Sequence, residues 1–290
     1  MAGLRQLGTE RDILGECPTW DDRAQVLWWV DIRRPAIRRL DPETGRFDSW
    51  DMPEMVGALA LTEGPELVVA LGNRVALWSP KGGFDATLAS LPGVPHHRFN
   101  DGRTDRQGRF WVGTMHNLTR APEGKLYRLG REGLCPVLSG IAIPNSLAWS
   151  PDGRRMYFAD SLQHRIDIHD FDPESGQMGP AVPFAASAPP SFPDGATVDA
   201  EGHLWVAEFN GDRLVRRAPD GAIVDVIETQ GTRPTACTLG GPDLRTLFIT
   251  TTCQHMTEAE RAVRPQTGAL LAHTVAVPGL PEPRVVLPLS

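Results

Sequence analysis

Four residues of this chain, Glu16, Asn100, Asn145 and Asp194, carry side chains that offer hard oxygen atoms. Each stands about ten or eleven residues ahead of a β-rich run, the runs beginning near Leu27, Phe110, Met156 and Leu204, as corresponding positions of a repeat would. Two further segments in the same phase precede runs near Leu67 and Leu247; they hold Met55 and Pro234, which offer no such donor. Two carboxylates and two carboxamides converging on one point suit Ca²⁺, Mg²⁺ or Mn²⁺, with water completing the shell. Carboxylates also bind Zn²⁺ or Fe²⁺, although no His pair stands at the spacing of a dedicated zinc site. One divalent metal ion is therefore expected, its identity open. The alternative is that these residues only start strands, since Asn and Asp bond their own backbone in turns. Four in phase, two of them directly after proline (Pro144-Asn145 and Pro193-Asp194), weigh against it.

Convergence requires an architecture that brings distant segments to one axis. The repeat returns six times, roughly every 40–48 residues, which is the size of a four-stranded propeller blade. Six such units use all 290 residues, so a single domain spanning 1–290 is expected, an all-β six-bladed β-propeller with a central metal site. The turns Asp105-Arg106-Gln107-Gly108, Ser150-Pro151-Asp152-Gly153 and Asp199-Ala200-Glu201-Gly202 occupy equivalent places, each before an aromatic-containing strand. The first strand of each blade lies innermost, so Glu16, Asn100, Asn145 and Asp194 face the channel. Residues before Glu16 are expected to add an outer strand to the last blade, because a ring closed by its two ends leaves no loose sheet. Segments 119–124, 180–193 and 255–267 read as loops over one end, with a short helix near Thr257–Ala262. Trp28, Trp29, Trp111 and Trp205 read as core between blades.

Composition excludes several classes. The net charge is −7 with no basic stripe, which argues against nucleic acid as a partner. The N-terminus has no apolar signal core and no run is long enough to span a bilayer, so a soluble cytoplasmic protein with no membrane partner is expected. Cys17, Cys135, Cys237 and Cys253 make no disulfide or CxxC framework. Ser146 and Ser161 lack the GxSxG setting of a nucleophilic serine.

The stretches GECPTW, RFNDGRTDRQGRFWVGTM, IPNSLAWSPDG, PDGATVDAEGHLWVA and GGPDL with LFITT resemble the regucalcin/gluconolactonase family, from about Leu14 to Leu270. The resemblance implies a six-bladed propeller with one divalent metal in the channel, hydrolysing a sugar (aldono-) lactone to the aldonic acid. It implies Glu16, Asn145 and Asp194 as metal ligands, with Asp194 also the catalytic base. Asn100 would approach both metal and substrate, and Arg98 would bind substrate hydroxyls. A bound dication polarises a carbonyl and acidifies water, so the metal itself is the competing source of a nucleophile.

One departure bears on specificity. Some members carry a glutamate pair shortly after the GTM motif; this chain continues Gly113-Thr114-Met115-His116-Asn117-Leu118, without a carboxylate. Substrate hydroxyls are therefore expected to fall to Arg98, Asn100, His116 and Asn117. Asp101 reads as a brace for its turn. Two other readings stay open: a divalent-metal esterase or phosphotriesterase, and a non-catalytic, metal-binding regulatory propeller.

Overall fold

The structure, a computed structural model, describes residues 3–91, 94 and 96–287. Alternating apolar runs separated by Gly- and Asp-rich turns form six antiparallel sheets. Their inner strands are Gly15–Asp21, Val56–Leu61, His97–Thr104, Pro144–Trp149, Phe192–Val198 and Pro234–Gly240. Each inner strand touches the next, and Pro234–Gly240 touches Gly15–Asp21, so the six form a closed ring. This is the six-bladed β-propeller.

Closure works as expected. The last blade takes Arg5–Leu7 as its outermost strand, pairing Arg5 with Ala272 and Leu7 with Leu270. Between blades the core is aromatic and aliphatic. Trp20 of the first blade stacks on Phe248 of the last at 5.4 Å, and Trp111 of the third meets Trp149 of the fourth at 5.9 Å. The recurrent turns share a device: Asp105 Oδ1 accepts the N–H groups of Gln107 and Arg109, both at 3.0 Å, and Asp199 Oδ1 does the same for Glu201 and His203. The short helix is Glu258–Val263, with Thr257 and Glu260 forming a reciprocal capping box at its start.

One expectation fails. Segment 180–193 is not a plain loop: Val182–Ala186 is an outer strand of the fourth blade, and the next inner strand begins at Phe192. The third strand of that blade, Arg165–Asp172, is long enough to pair with Val182–Ala186 at one end and Gln177–Met178 at the other. Pro183 is tolerated because an edge strand can turn a position without an N–H toward solvent.

The end of the chain crosses one face of the ring. Pro278 O accepts from Ala200, Gly279 N–H donates to Leu244 O, Val285 bridges to Thr62, and Val286 N–H donates to Gly108 O. Asp21, which ends the first inner strand, accepts from Arg284 at 2.7 Å. Glu16 lies at the other end of that strand. The C-terminal segment thus covers the face opposite the candidate ligands.

Candidate active site

Each candidate ligand enters the ring at the start of an inner strand, where the ladder slips. Register shifts fall between Glu16 and Thr19, Phe99 and Gly102, Asn145 and Ala148, and Pro193 and Ala196. Such bulges bend a strand and re-aim a side chain. The residue after the ligand is left-handed at Cys17 (φ 50°) and Ser146 (φ 56°), which breaks simple alternation there. Cys17 consequently lines a second cavity in the ring, its thiol accepting the N–H of Leu59 at 3.3 Å.

The approach to the bulge is fixed by a carboxylate on the neighbouring strand. Asp31, paired with Gly15, accepts the N–H groups of Ile13 and Leu14 at 2.9 and 3.1 Å. Asp160, paired with Pro144, accepts those of Ala142 and Ile143, both at 3.0 Å. Glu208 holds the same register position opposite Pro193 and catches Ser187 Oγ at 2.9 Å. Three blades therefore clamp the chain just upstream of Glu16, Asn145 and Asp194.

These residues come together. Glu16, Arg98, Asn100, Asn117, Asn145 and Asp194 line one cavity that opens to solvent. Asn145 Nδ2 donates to Ser161 Oγ at 2.8 Å, and Ser161 Oγ donates to Pro193 O at 2.7 Å. With its amide nitrogen so engaged, Asn145 turns its Oδ1 toward Asn100, whose Nδ2 donates to it at 3.2 Å and to Pro144 O at 2.9 Å. Arg98 Nη1 donates to Asn100 Oδ1 at 2.7 Å and to Phe99 O at 2.8 Å, and its Nε donates to Asn117 Oδ1 at 3.0 Å. A guanidinium has five donors. These bonds use the Nε and Nη1 hydrogens and leave Nη2 for a ligand.

The two carboxylates of the cavity are electrostatically confined. Neither Glu16 nor Asp194 forms an ion pair among the described residues. Burial, then repulsion from Asp194 and Asp101, holds the Glu16 carboxyl well above its usual range. Burial and Asp101 do the same to Asp194. Arg98 is pulled down to about 10, by burial first and then by Arg33. Two confined negative charges beside two amide oxygens fit a hard dication, which would relieve their repulsion. Among the described residues no group of three or more His, Cys, Asp and Glu forms a metal cluster; the donor set has only two carboxylates, completed by amides.

Two expected contacts divide. Asn117 lines the cavity, whereas His116 is not among its lining residues. Arg98 pairs with Met115 and His97 with His116 across the ladder, and alternation sends Met115 to the cavity and His116 to the other face. His116 there accepts the N–H of Thr119 at 3.1 Å and meets the His97 ring at 5.2 Å. Asp101, expected to brace its own turn, braces the next blade instead: its Oδ2 accepts the N–H of Leu147 at 2.9 Å, and burial pushes its carboxyl up to about 6. Ser161, Arg33, Arg120 and Gln254 also line the cavity and carry no repeat signal that could have marked them.

The match to known proteins covers the same ground. The family model described as SMP-30/gluconolactonase/LRE-like region matches residues 14–253. The chain belongs to the SMP-30/gluconolactonase/LRE-like family. Within that family, it is 39% identical over 284 residues to 6-deoxy-6-sulfogluconolactonase of Pseudomonas putida, covering 97% of each chain. It is 34% identical to L-arabinolactonase of Azospirillum brasilense, over 91% of this chain and 89% of that one. A solved structure described as the calcium-binding protein regucalcin of Agrobacterium tumefaciens superposes with a TM-score of 0.94 at 29% identity, covering 99% of this chain and 98% of that one. No helix among the described residues is long and apolar enough to cross a membrane.

Proposed function

We propose that this protein hydrolyses a sugar lactone to the open-chain aldonic acid with the help of one divalent cation. The observation that carries the reading is the pair of carboxylates without an ion pair among the described residues, half-buried Glu16 and buried Asp194, sharing one open cavity with Asn100 and Asn145. Lactonase names among relatives at 34–39% identity support the same reaction class.

Glu16, Asn145 and Asp194 would hold the cation, with Asn100 as a further ligand through the Oδ1 lone pair that Arg98 leaves free. When bound, the cation would supply Lewis acidity to the lactone carbonyl. Arg98 presents Nη2 to the ring hydroxyls or the nascent carboxylate, and Asn117 fixes the guanidinium through Nε. Asp194 takes the proton of the attacking water as its oxygen bonds to the carbonyl carbon. The ring C–O bond then breaks, and the proton passes from Asp194 to the departing ring oxygen, leaving a hydroxyl and a carboxylic acid, which gives up its remaining proton to solvent to become the carboxylate. The Asn145–Ser161–Pro193 chain keeps the amide oxygen facing the cavity while this happens.

The test is acid release across a panel of pentono- and hexonolactones by chelated protein reloaded in turn with Ca²⁺, Mg²⁺, Mn²⁺, Zn²⁺ or Fe²⁺. Turnover is expected with at least one metal and not in its absence. No hydrolysis with any of them would leave a non-catalytic metal site.

A further inference from the structure

Arginines outnumber carboxylates in the lining of the cavity, although the protein as a whole is acidic. The lining holds three arginines, Arg33, Arg98 and Arg120, against two carboxylates, Glu16 and Asp194, whereas the whole chain carries a net charge of −7. None of the three arginines has a carboxylate partner among the described residues. Arg98 is buried and bonded to neutral groups. Arg33 is half-buried; its Nε donates to Gln254 Oε1 at 2.5 Å, and its Nη1 lies 3.9 Å from Met55 Sδ. Arg120 is exposed, with a left-handed backbone (φ 55°) and no side-chain partner among the described residues. The stretch from Met115 to Arg120 that leads over the cavity contains no acidic residue to neutralise them.

A guanidinium that lines a cavity without a carboxylate partner presents a planar fork of donors that matches an oxyanion. The three are graded by exposure: Arg98 lies deepest beside Asn100, and Arg33 and Arg120 stand toward the mouth. A carboxylate formed at the reacting carbonyl would be served by Arg98. The outer two face whatever part of the substrate extends away from the carbonyl. Repulsion between them, which lowers the pKa of Arg33 after burial has done so, is relieved by an anion bound between them.

We infer that Arg33 and Arg120 form an anion subsite, and that the favoured substrate is a lactone whose exocyclic carbon carries a sulfonate or a phosphate monoester. This rests on the lactonase reading and narrows it. Both groups present three oxygens to guanidinium donors, so the structure assigns the charge and the shape, and the two sources are separated by measurement.

The experiment compares kcat/KM of the metal-loaded protein on matched hexonolactones bearing a hydroxyl, a sulfonate or a phosphate at C6. The wild type should favour at least one anionic lactone over the neutral one by about tenfold or more, the size of losing a charged hydrogen bond. The preference should shrink as salt is raised, because Arg120 is exposed. Arg33→Met and Arg120→Asn should each lower the anionic-to-neutral ratio about tenfold, whereas Arg120→Lys should keep most of it. Asn tolerates the left-handed backbone and Arg120 has no internal contact to lose, so Arg120→Asn remains informative even if Arg33→Met fails to fold. A wild type that treats neutral and anionic lactones alike, or variants that leave the ratio unchanged, would overturn the subsite while leaving the lactonase reading intact. If no lactone is hydrolysed, calorimetric binding of the C6-sulfonated and C6-phosphorylated aldonic acids decides it. Binding weakened by Arg120→Asn supports the subsite without turnover, and binding indifferent to it ends the inference.

Discussion

Arg98 and Asn100 hold one another at the base of the cavity: Arg98 Nη1 donates to Asn100 Oδ1 at 2.7 Å, two residues along the same bulged strand. The arginine is therefore pinned by its own strand and by Asn117, and only Nη2 faces outward.

Arg98→Ala should raise KM for polyhydroxylated lactones by about 10–100-fold, the range expected for charged hydrogen bonds lost from a buried site. A plain lactone without hydroxyls should suffer much less. Steady-state kinetics on the two substrates check this, and an equal loss on both would remove Arg98 from hydroxyl recognition.

Asp194→Asn keeps the shape and one oxygen donor but removes the charge and the basicity. Turnover should fall by roughly 10²–10⁴-fold, as for loss of a general base, in a protein whose circular dichroism is unchanged. Metal titration to saturation should restore occupancy and not rate. Recovery of the wild-type rate at saturation would make Asp194 a ligand only.

Ser161 is bonded to the Asn145 amide and to Pro193 O, so its role is exerted through Asn145. Ser161→Ala frees the Asn145 amide to rotate and should weaken metal affinity about 10–100-fold, as loss of such supporting bonds does elsewhere. The readout is metal Kd by calorimetry with kcat at saturating metal. Intact affinity would show that Asn145 needs no anchor.

Burial and Asp194 hold the Glu16 carboxyl above its usual range in the metal-free protein. The folded state then binds protons that the unfolded chain has released, so stability falls as pH rises above the ordinary carboxylate range of about 4. Glu16→Gln removes this charge. Its metal-free Tm at pH 8 should exceed that of the wild type by about 2–4 °C for each ~1 kcal/mol relieved, with little difference at pH 4. Thermal melts in chelator at the two pH values test it; a lower Tm at pH 8 would mean that Glu16 is satisfied without a cation.

Much of this was legible because a propeller repeats. Phase alone places Glu16, Asn100, Asn145 and Asp194 at matching starts of inner strands, and the structure brings all four to one cavity. The Asp-Gly turns mark the blades because each Asp serves successive backbone N–H groups of its own turn. Residues on connecting loops have no phase to betray them: Arg33, Arg120 and Ser161 reach the cavity from segments of different length. His116 shows the limit of adjacency, since its neighbours Met115 and Asn117 line the cavity and strand alternation turns it away. Segment 180–193 fits no inner-strand pattern and reads as a loop, where the structure has an edge strand, Val182–Ala186.

The C-terminal segment has a consequence for traffic. Glu282 reaches into the far side of the ring and binds Arg103 through two contacts, at 2.9 and 2.6 Å, while Arg103 also donates to Ala196 O at 2.6 Å. This bolt fastens the C-terminal segment to the inner strands on the side away from Glu16. The mouth that Arg120 lines then serves both the arriving lactone and the departing acid.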